Sequence, residues 1–250
     1  MPLFKTKVLG AGYNNVEFSN AVNVVDEFLQ KPIKKSVFFL NADYLYKAQK
    51  DAEYRNILNS NDLVLPDGIG LKIISAFLGS KMLDNCNGTD FSPVVLGLAA
   101  RKGLSVYFLG SKEGVACKAA ELAVKQFPGL KIAGVNSGYF DNNGEVIARV
   151  NASGADILLV GMGAPLQEKW IHKYRSELNP RLCMAVGAYF DFLSGYIPRA
   201  PKILICIHLE WLWRVLVEPR RMIKRYFVDG VSLFGLVFKY KIERFFLRKE

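Results

Sequence analysis

The chain has 250 residues, with 33 Lys+Arg against 23 Asp+Glu for a formal net charge of +10, and 51% hydrophobic and 22% charged residues. That balance excludes global disorder and fits one large domain, or one domain carrying an appendage. The charge is uneven: residues 199–250 hold 12 basic and 5 acidic side chains, a net of +7, which leaves +3 for residues 1–198. A basic tail on a nearly neutral body points to an anionic partner for the tail.

In chain order, Ser36-Val37-Phe38-Phe39-Leu40 reads as a buried strand, followed by a helical stretch from Asp43 to Leu58. Leu63-Val64-Leu65 is a second strand, and a helix is expected to open near Gly68. Ser105 to Leu109 is a third strand, ended by Gly110 and followed by a helix from Glu113 to Gln126. Phe127-Pro128-Gly129 stops that helix, and the chain returns as a strand over Lys131 to Val135. Strands at Asp156 to Val160 and Leu182 to Val186, with a helix near Gln167 to Glu177 between them, complete the set. Continuous apolar strands alternating with helices predict an α/β fold: a Rossmann-like, mostly parallel sheet with helices on both faces. After Pro198 the alternation stops, and Trp211, Trp213, Phe227, Phe234, Phe238, Tyr240, Phe245 and Phe246 are interleaved with Arg and Lys. This predicts a basic, amphipathic, helical C-terminal appendage over residues 198–250, attached to a body over residues 1–197.

Cys86, Cys117, Cys183 and Cys206 show no C-x-x-C spacing and are accompanied by only two histidines. A zinc site or a disulfide framework is therefore not expected, and a reducing cytoplasm fits. The opening Met1-Pro2-Leu3-Phe4-Lys5 lacks the apolar run of a signal peptide. The best spanning candidate, Ile203 to Val217, is interrupted by His208, Glu210 and Arg214, short of the roughly 18–20 apolar residues a bilayer requires. The expectation is a chain that touches a membrane without crossing it.

In a parallel α/β sheet, ligands bind beyond the carboxyl ends of the strands. Pro66-Asp67-Gly68-Ile69-Gly70 puts a carboxylate at such an end, as a functional group or as a plain helix N-cap. Gly110-Ser111-Lys112-Glu113-Gly114 opens a helix, where free N–H groups and the helix dipole suit a phosphate. Gly161-Met162-Gly163-Ala164-Pro165-Leu166-Gln167-Glu168 is richer; Gln167 is a candidate to read a base or sugar, while Glu168 could equally lie on a solvated helix face. Gly161-x-Gly163 and Gly10-x-Gly12 both lack the third glycine of a dinucleotide fingerprint, and no P-loop is present. The chain also lacks Asp-x-Asp, a common metal–diphosphate handle. A diphosphate here would need Arg and Lys, which the segment from Glu210 to Arg225 supplies.

Together these segments resemble the WecG/TagA/CpsF family of bacterial glycosyltransferases. The resemblance rests on Asn41-Ala42-Asp43, Leu65 to Gly70, Gly88-Thr89-Asp90-Phe91, Gly110 to Gly114, Gly161 to Glu168, Val186 to Gly195, Arg199-Ala200-Pro201 and Glu210 to Arg225. It implies an inverting, metal-independent transfer from a UDP-sugar, a substrate and not a cofactor, to a polyprenyl-diphosphate-linked saccharide in cell-surface polysaccharide assembly. It places the chain on the inner face of the bacterial plasma membrane, against anionic lipid. By the same resemblance Asp67 is the general base, and Arg214 and Arg221 neutralise the diphosphate beside Lys224 and Arg225. The implied substrate contacts are Asn41, Asn87, Thr89, Asp90, Gly110, Ser111, Gly161, Gly163, Pro165, Gln167, Glu168 and Arg225. A helix N-terminus is expected to lower the pKa of Asp67, which substrate burial would have to counter.

Phe39 stands where the family often has threonine, and Asn85 where it often has arginine. Both positions lie near the donor site in relatives, so the donor is left open between an N-acetylmannosamine-type sugar and glucose. The competing reading is a non-catalytic basic protein whose aromatic tail binds membrane or single-stranded nucleic acid. Against nucleic acid, the body is nearly neutral and the ligand-type residues lie at strand ends. A hydrophobic tail can also be covered by another subunit, so a homo-oligomer is a further expectation.

Overall fold

The computed structural model describes residues 4–207 and 209–246. His208, named above as a break in the apolar run, lies outside them, as do the first three residues and the last four. A hairpin, β1 (Lys5–Val8) and β2 (Ala11–Asn14), precedes α1 (Phe18–Gln30). There follow β3 (Lys35–Leu40), α2 (Ala42–Lys50), α3 (Ala52–Ser60), β4 (Leu63–Pro66), α4 (Gly68–Phe77) and α5 (Gly88–Lys102). Next come β5 (Ser105–Gly110), α6 (Val115–Gln126), β6 (Lys131–Asn136), α7 (Asn143–Ala152), β7 (Ile157–Gly161), α8 (Leu166–Tyr174) and β8 (Leu182–Ala185). The chain ends in α9 (Tyr189–Leu193), α10 (Lys202–Cys206), α11 (Glu210–Val217), α12 (Pro219–Ile223), a π-helical turn (Lys224–Asp229) and α13 (Gly230–Phe246).

All six strands read from the sequence are present and form one parallel sheet in the order β4-β3-β8-β7-β5-β6. The period-two geometry of a strand divides their side chains between two cores. Phe38, Leu40, Val64, Leu109, Leu158, Val160 and Ala185 face one core, covered by α2, α3, α4, α7 and α8. Val37, Phe39, Leu65, Phe108, Leu159 and Met184 face the other, covered by α1, α5, α6 and α9. With helices on both faces, the sheet has no solvated side, which is why its strands carry no polar alternation.

The sequence reading lacks the hairpin, and it also leaves α1, α5 and α7 unassigned. The hairpin docks on β4 and α3: Val64 donates its N–H to Asn14 Oδ1 at 2.8 Å and Gly12 donates to Asn59 Oδ1 at 2.8 Å. Lys5 Nζ donates to the carbonyls of Leu58, Asn59 and Asn61 at 2.7, 2.9 and 2.7 Å, closing the end of α3, and burial pulls its pKa down to about 8. The single helix expected over Asp43 to Leu58 is two helices, because Asp51 ends α2 and its carboxylate caps α3 by accepting from Tyr54 N at 3.0 Å. Beyond α9 the chain folds back on the body. The π-helical turn and α13 pack on α2, with Leu233 and Val237 entering the core there.

Candidate active site

Leu40 and Pro66 are register partners at the ends of β3 and β4, so Asn41 and Asp67 leave the sheet side by side. Asp67 N donates to Leu40 O at 2.8 Å, and Asn41 Nδ2 donates to Asp67 Oδ2 at 3.1 Å. The other end of the same amide accepts from Tyr44 N at 2.9 Å and caps α2. Asn41 is thereby fixed at both ends and holds the carboxylate in place. Asp67 precedes α4, yet its side chain makes no capping bond to that helix. The first N–H of α4, that of Gly68, goes to Asn85 Oδ1 at 2.7 Å instead. The plain N-cap alternative therefore does not describe Asp67. Its pKa is raised, chiefly by burial, against the lowering effects of Asn41, Arg214 and Arg225. The helix-end lowering expected from sequence is outweighed, because desolvation dominates where the helix amide is engaged elsewhere.

Asn87 and Asp90 form a reciprocal cap on α5: Asp90 N donates to Asn87 Oδ1 at 2.9 Å and Asn87 Nδ2 donates to Asp90 Oδ2 at 2.7 Å. The second oxygen of Asp90 is ion-paired with Arg199, tying the root of the appendage to this corner. Thr89 lies half-buried between them. Phe39 packs edge-on against Phe91 at 6.1 Å and lies beneath Gly88, inside the core. The alternation of β3 buries the Phe39 ring on the α5 side of the sheet, next to the Gly88 corner.

On the other side, the ends of β5, β7 and β8 meet backbone to backbone. A Cβ at Gly110 would fall 2.4 Å from the carbonyl oxygen of Gly161, and one at Gly161 would fall 2.9 Å from that of Gly187. Only glycine permits this approach. Ser111 N donates to Gly161 O at 2.9 Å and Ser111 Oγ to Asp191 Oδ1 at 2.5 Å, so this N–H is not free for a phosphate. Beside the turn lies a groove of about 530 Å³ between α6, the end of β6 and α7, with Lys112, Tyr139 and Arg149 on its walls.

Gln167 and Glu168 are both buried. Gln167 Oε1 accepts from Gly163 N and Gly187 N, each at 3.1 Å, and its Nε2 donates to Glu168 Oε1 at 2.7 Å. Gln167 therefore joins the turns after β7 and β8 and does not present these groups to a base or sugar. The solvated-face alternative for Glu168 also fails. Its Oε2 has no hydrogen-bond partner, and burial pushes its pKa up to about 7. Pro165 and Gly163 lie on the same turn, whose Ala164 carbonyl accepts from Lys47 Nζ at 3.0 Å.

The appendage brings two of its three singled-out arginines to this floor. Arg214 lies over the Phe192 ring at 4.6 Å and is close enough to Asp67 to lower its pKa. Arg225, with 20% side-chain exposure, sets Nε 3.5 Å from Asp43 Oδ2 and also acts on Asp67. The Asp43 side chain is 7% exposed and held by Lys47 at 3.0 Å. Arg221 is different: it is 54% exposed and pairs with Glu218 at 2.9 Å, one turn back on its own segment. The resemblance placed Arg214, Arg221 and Arg225 together at the site; in the structure Arg214 and Arg225 face Asp67, and Arg221 is turned to Glu218. Asp43 was missed as a partner, although Asn41-Ala42-Asp43 held it in view, because a first-turn acid reads as ordinary helix-dipole compensation.

The sequence model described as the Glycosyl transferase WecG/TagA/CpsF family matches residues 6–246. The chain belongs to this family. It is a glycosyltransferase, and the match runs through the appendage as well as the body. Among its relatives, the N-acetylglucosaminyldiphosphoundecaprenol N-acetyl-beta-D-mannosaminyltransferase of Bacillus spizizenii is 35% identical over 181 residues, covering 72% of this chain and 70% of the relative. The protein of the same name from Bacillus subtilis is 29% identical over 210 residues, covering 84% of this chain and 82% of the relative. Within this family member, the strand-end carboxylate Asp67 and the appendage arginines Arg214 and Arg225 form one cluster.

Proposed function

We propose that this glycosyltransferase moves a sugar from a UDP-sugar to a polyprenyl-diphosphate-linked saccharide, with inversion at the anomeric carbon and without a metal. The observation that carries the reading is Asp67, gripped by Asn41 at the joined ends of β3 and β4 and faced by Arg214 and Arg225. Asp67 takes the proton of the acceptor hydroxyl as that oxygen bonds to the anomeric carbon from the face opposite UDP. The bond from that carbon to the UDP oxygen breaks, and the released diphosphate gathers negative charge. Arg214 and Arg225 supply the compensating charge, the role metal ions fill in other transferases. The acceptor class follows the names of the two Bacillus relatives, and so does the first donor to try, UDP-N-acetylmannosamine. UDP-glucose is the second donor, because Asn85 at Gly68 N still departs from the family pattern.

The groove beside Gly110 to Gly114 offers the nucleoside a wall with Tyr139 for stacking and Lys112 and Arg149 for charge. The appendage over residues 198–250 completes the site and holds the enzyme on the cytoplasmic face of the membrane, with Leu216, Phe227, Phe234 and Phe238 exposed among basic residues. Among the described residues no helix is long and apolar enough to cross a membrane.

The test is UDP release from UDP-N-acetylmannosamine, UDP-glucose and UDP-N-acetylglucosamine, each with a polyprenyl-diphosphate-linked N-acetylglucosamine acceptor, with and without EDTA. Release that needs both UDP-N-acetylmannosamine and the acceptor, and that survives EDTA, is expected. Release with UDP-glucose alone reassigns the donor, and loss in EDTA or a retained anomeric configuration in the product overturns the mechanism.

A further inference from the structure

Helix α4 follows directly on Asp67 and is largely apolar: Lys72 is the one charged residue in Gly68–Phe77. Its inner face, Leu71, Ile74 and Ser75, is buried in the body. Its outer face is open, with Ile73 51% and Phe77 40% exposed at i, i+4 spacing, and Leu83 46% exposed in the loop beyond. A helix that is apolar all round is stable where both faces meet apolar surroundings. Here, among the described residues, only Lys241 is seen against the outer face, over the Phe77 ring.

Two observations indicate what covers it. The first is charge. Lys72 and Lys81 line the shallow recess of about 360 Å³ between α4 and its following loop, with Leu83 on the same wall. Lys241 from α13 stands over the Phe77 ring at 3.8 Å and donates to the Phe77 carbonyl at 2.7 Å. Asp84, the nearby acid in the loop, is turned to α1, where it accepts from Phe18 N at 2.9 Å. An apolar strip rimmed by lysines matches the acyl region of a bilayer beneath anionic headgroups. A second copy of this chain, itself at +10, would set lysine against lysine. The second observation is continuity. The Lys241–Phe77 contact joins the strip to α13, whose Phe234 and Phe238 are exposed.

We propose that α4 is a second membrane-docking element, carried by the catalytic body itself: Ile73, Phe77 and Leu83 enter the interface of an anionic bilayer while Lys72, Lys81 and Lys241 meet its headgroups. The proposal rests on the reading above, in which the enzyme works on a lipid-linked acceptor at a membrane. It adds that the body is oriented, and not merely tethered. Ten residues of helix span about 15 Å, so docking the outer face of α4 sets Asp67 at a fixed small height above the membrane, where the diphosphate of a lipid-linked acceptor emerges.

The test uses the full chain with the exposed Cys117 and Cys206 replaced by serine, Cys86 and Cys183 being buried. An environment-sensitive fluorophore is attached at Ile73→Cys, and in a second preparation at Leu216→Cys on α11. Each is mixed with phosphatidylglycerol-containing vesicles carrying acyl-chain nitroxides. Emission at position 73 is expected to shift to the blue and to be quenched by the nitroxides. Quenching at 216 but not at 73 overturns the proposal and leaves the appendage as the sole membrane contact, with the functional reading intact. Quenching at neither position removes the membrane part of both. A blue shift at 73 that grows with protein concentration in the absence of lipid assigns the face to a second copy and also overturns the proposal. In parallel, Ile73→Gln with Phe77→Gln is expected to weaken vesicle binding roughly ten-fold with UDP binding unchanged; undiminished vesicle binding overturns the proposal.

Discussion

The body and the appendage solve the burial problem differently. In the body, every residue of β2, β4, β7 and β8 is buried, and the helices of both faces close two continuous cores. Beyond Pro201, only Met222, Leu233 and Val237 are buried among the described side chains, while Ile203, Leu216, Phe227, Val231, Phe234 and Phe238 stand open. The body is held by its own apolar surface. The appendage is held by a short apolar seam on α2 and by charge, through Arg199 on Asp90 and Arg225 on Asp43. One region supplies the floor with Asp67, and the other brings Arg214 and Arg225 over that floor while leaving apolar side chains open. The division predicts that body substitutions at the floor abolish chemistry outright, whereas appendage substitutions act according to whether the side chain reaches the floor.

The largest effect is expected at Asp67. Asp67→Asn keeps the shape and the contact with Asn41 but removes the proposed base, and transfer should fall by about 10²–10⁴-fold. Because burial already disfavours the charged form, the variant should unfold no earlier than the parent in a thermal melt and should bind UDP equally well. The pH profile sharpens this. The raised pKa means that the ascending limb of kcat/KM lies at higher pH than for an ordinary carboxylate. Asn41→Ala, which removes a contact that favours ionisation, should move that limb further up. A limb at the usual carboxylate position would assign the proton transfer to another group.

The next effect separates two arginines of the appendage. Arg225→Ala removes a cation that acts on Asp67 and strips the little-exposed Asp43 carboxylate of a partner, so transfer should fall roughly 10²-fold. Arg221→Ala removes an exposed pair with Glu218 and should change transfer by less than about three-fold. Steady-state kinetics on both variants decides the matter, and equal losses would mean that the appendage closes further over substrate than it does here.

The same pair shows what the sequence could carry. The six strands were legible because a sheet buried on both faces demands unbroken apolar runs, and Asp67 was legible because it ends one of them. The hairpin was not, since Lys5-Thr6-Lys7-Val8 is held through polar bonds such as those of Lys5, which leave no periodic signal. Arg221 and Arg225 are four residues apart and would share a face on a continuous α-helix. The change to π winding at Lys224 alters that phase, and nothing in the residue types announces it. Gln167 was singled out for its place on a glycine turn, but only coordinates reveal that its oxygen is bound by Gly163 and Gly187.

The smallest effect probes the floor from below. Glu168 is buried with Oε2 unpartnered, near Tyr44, Tyr54 and Lys47, and its pKa is raised from 4.5 to about 7. Between those two values the folded protein holds a proton that the unfolded chain has lost. Stability from this group is therefore greatest at low pH and declines as pH rises from about 4.5 to about 7. Glu168→Gln is neutral at every pH and can still accept from Gln167, so it should be more stable than the parent above pH 7, by about 1–2 kcal/mol. That figure is the linkage gain from raising the carboxyl from 4.5 to about 7, less the cost of burying an extra amide N–H pair. Denaturant titrations of both proteins at pH 5, 6, 7 and 8 isolate the group, because every other titration cancels in the difference between them. The difference should grow with pH and then level off; a constant difference would place a full negative charge on Glu168 throughout, and the joint between the β7 and β8 turns would then be an ionic one.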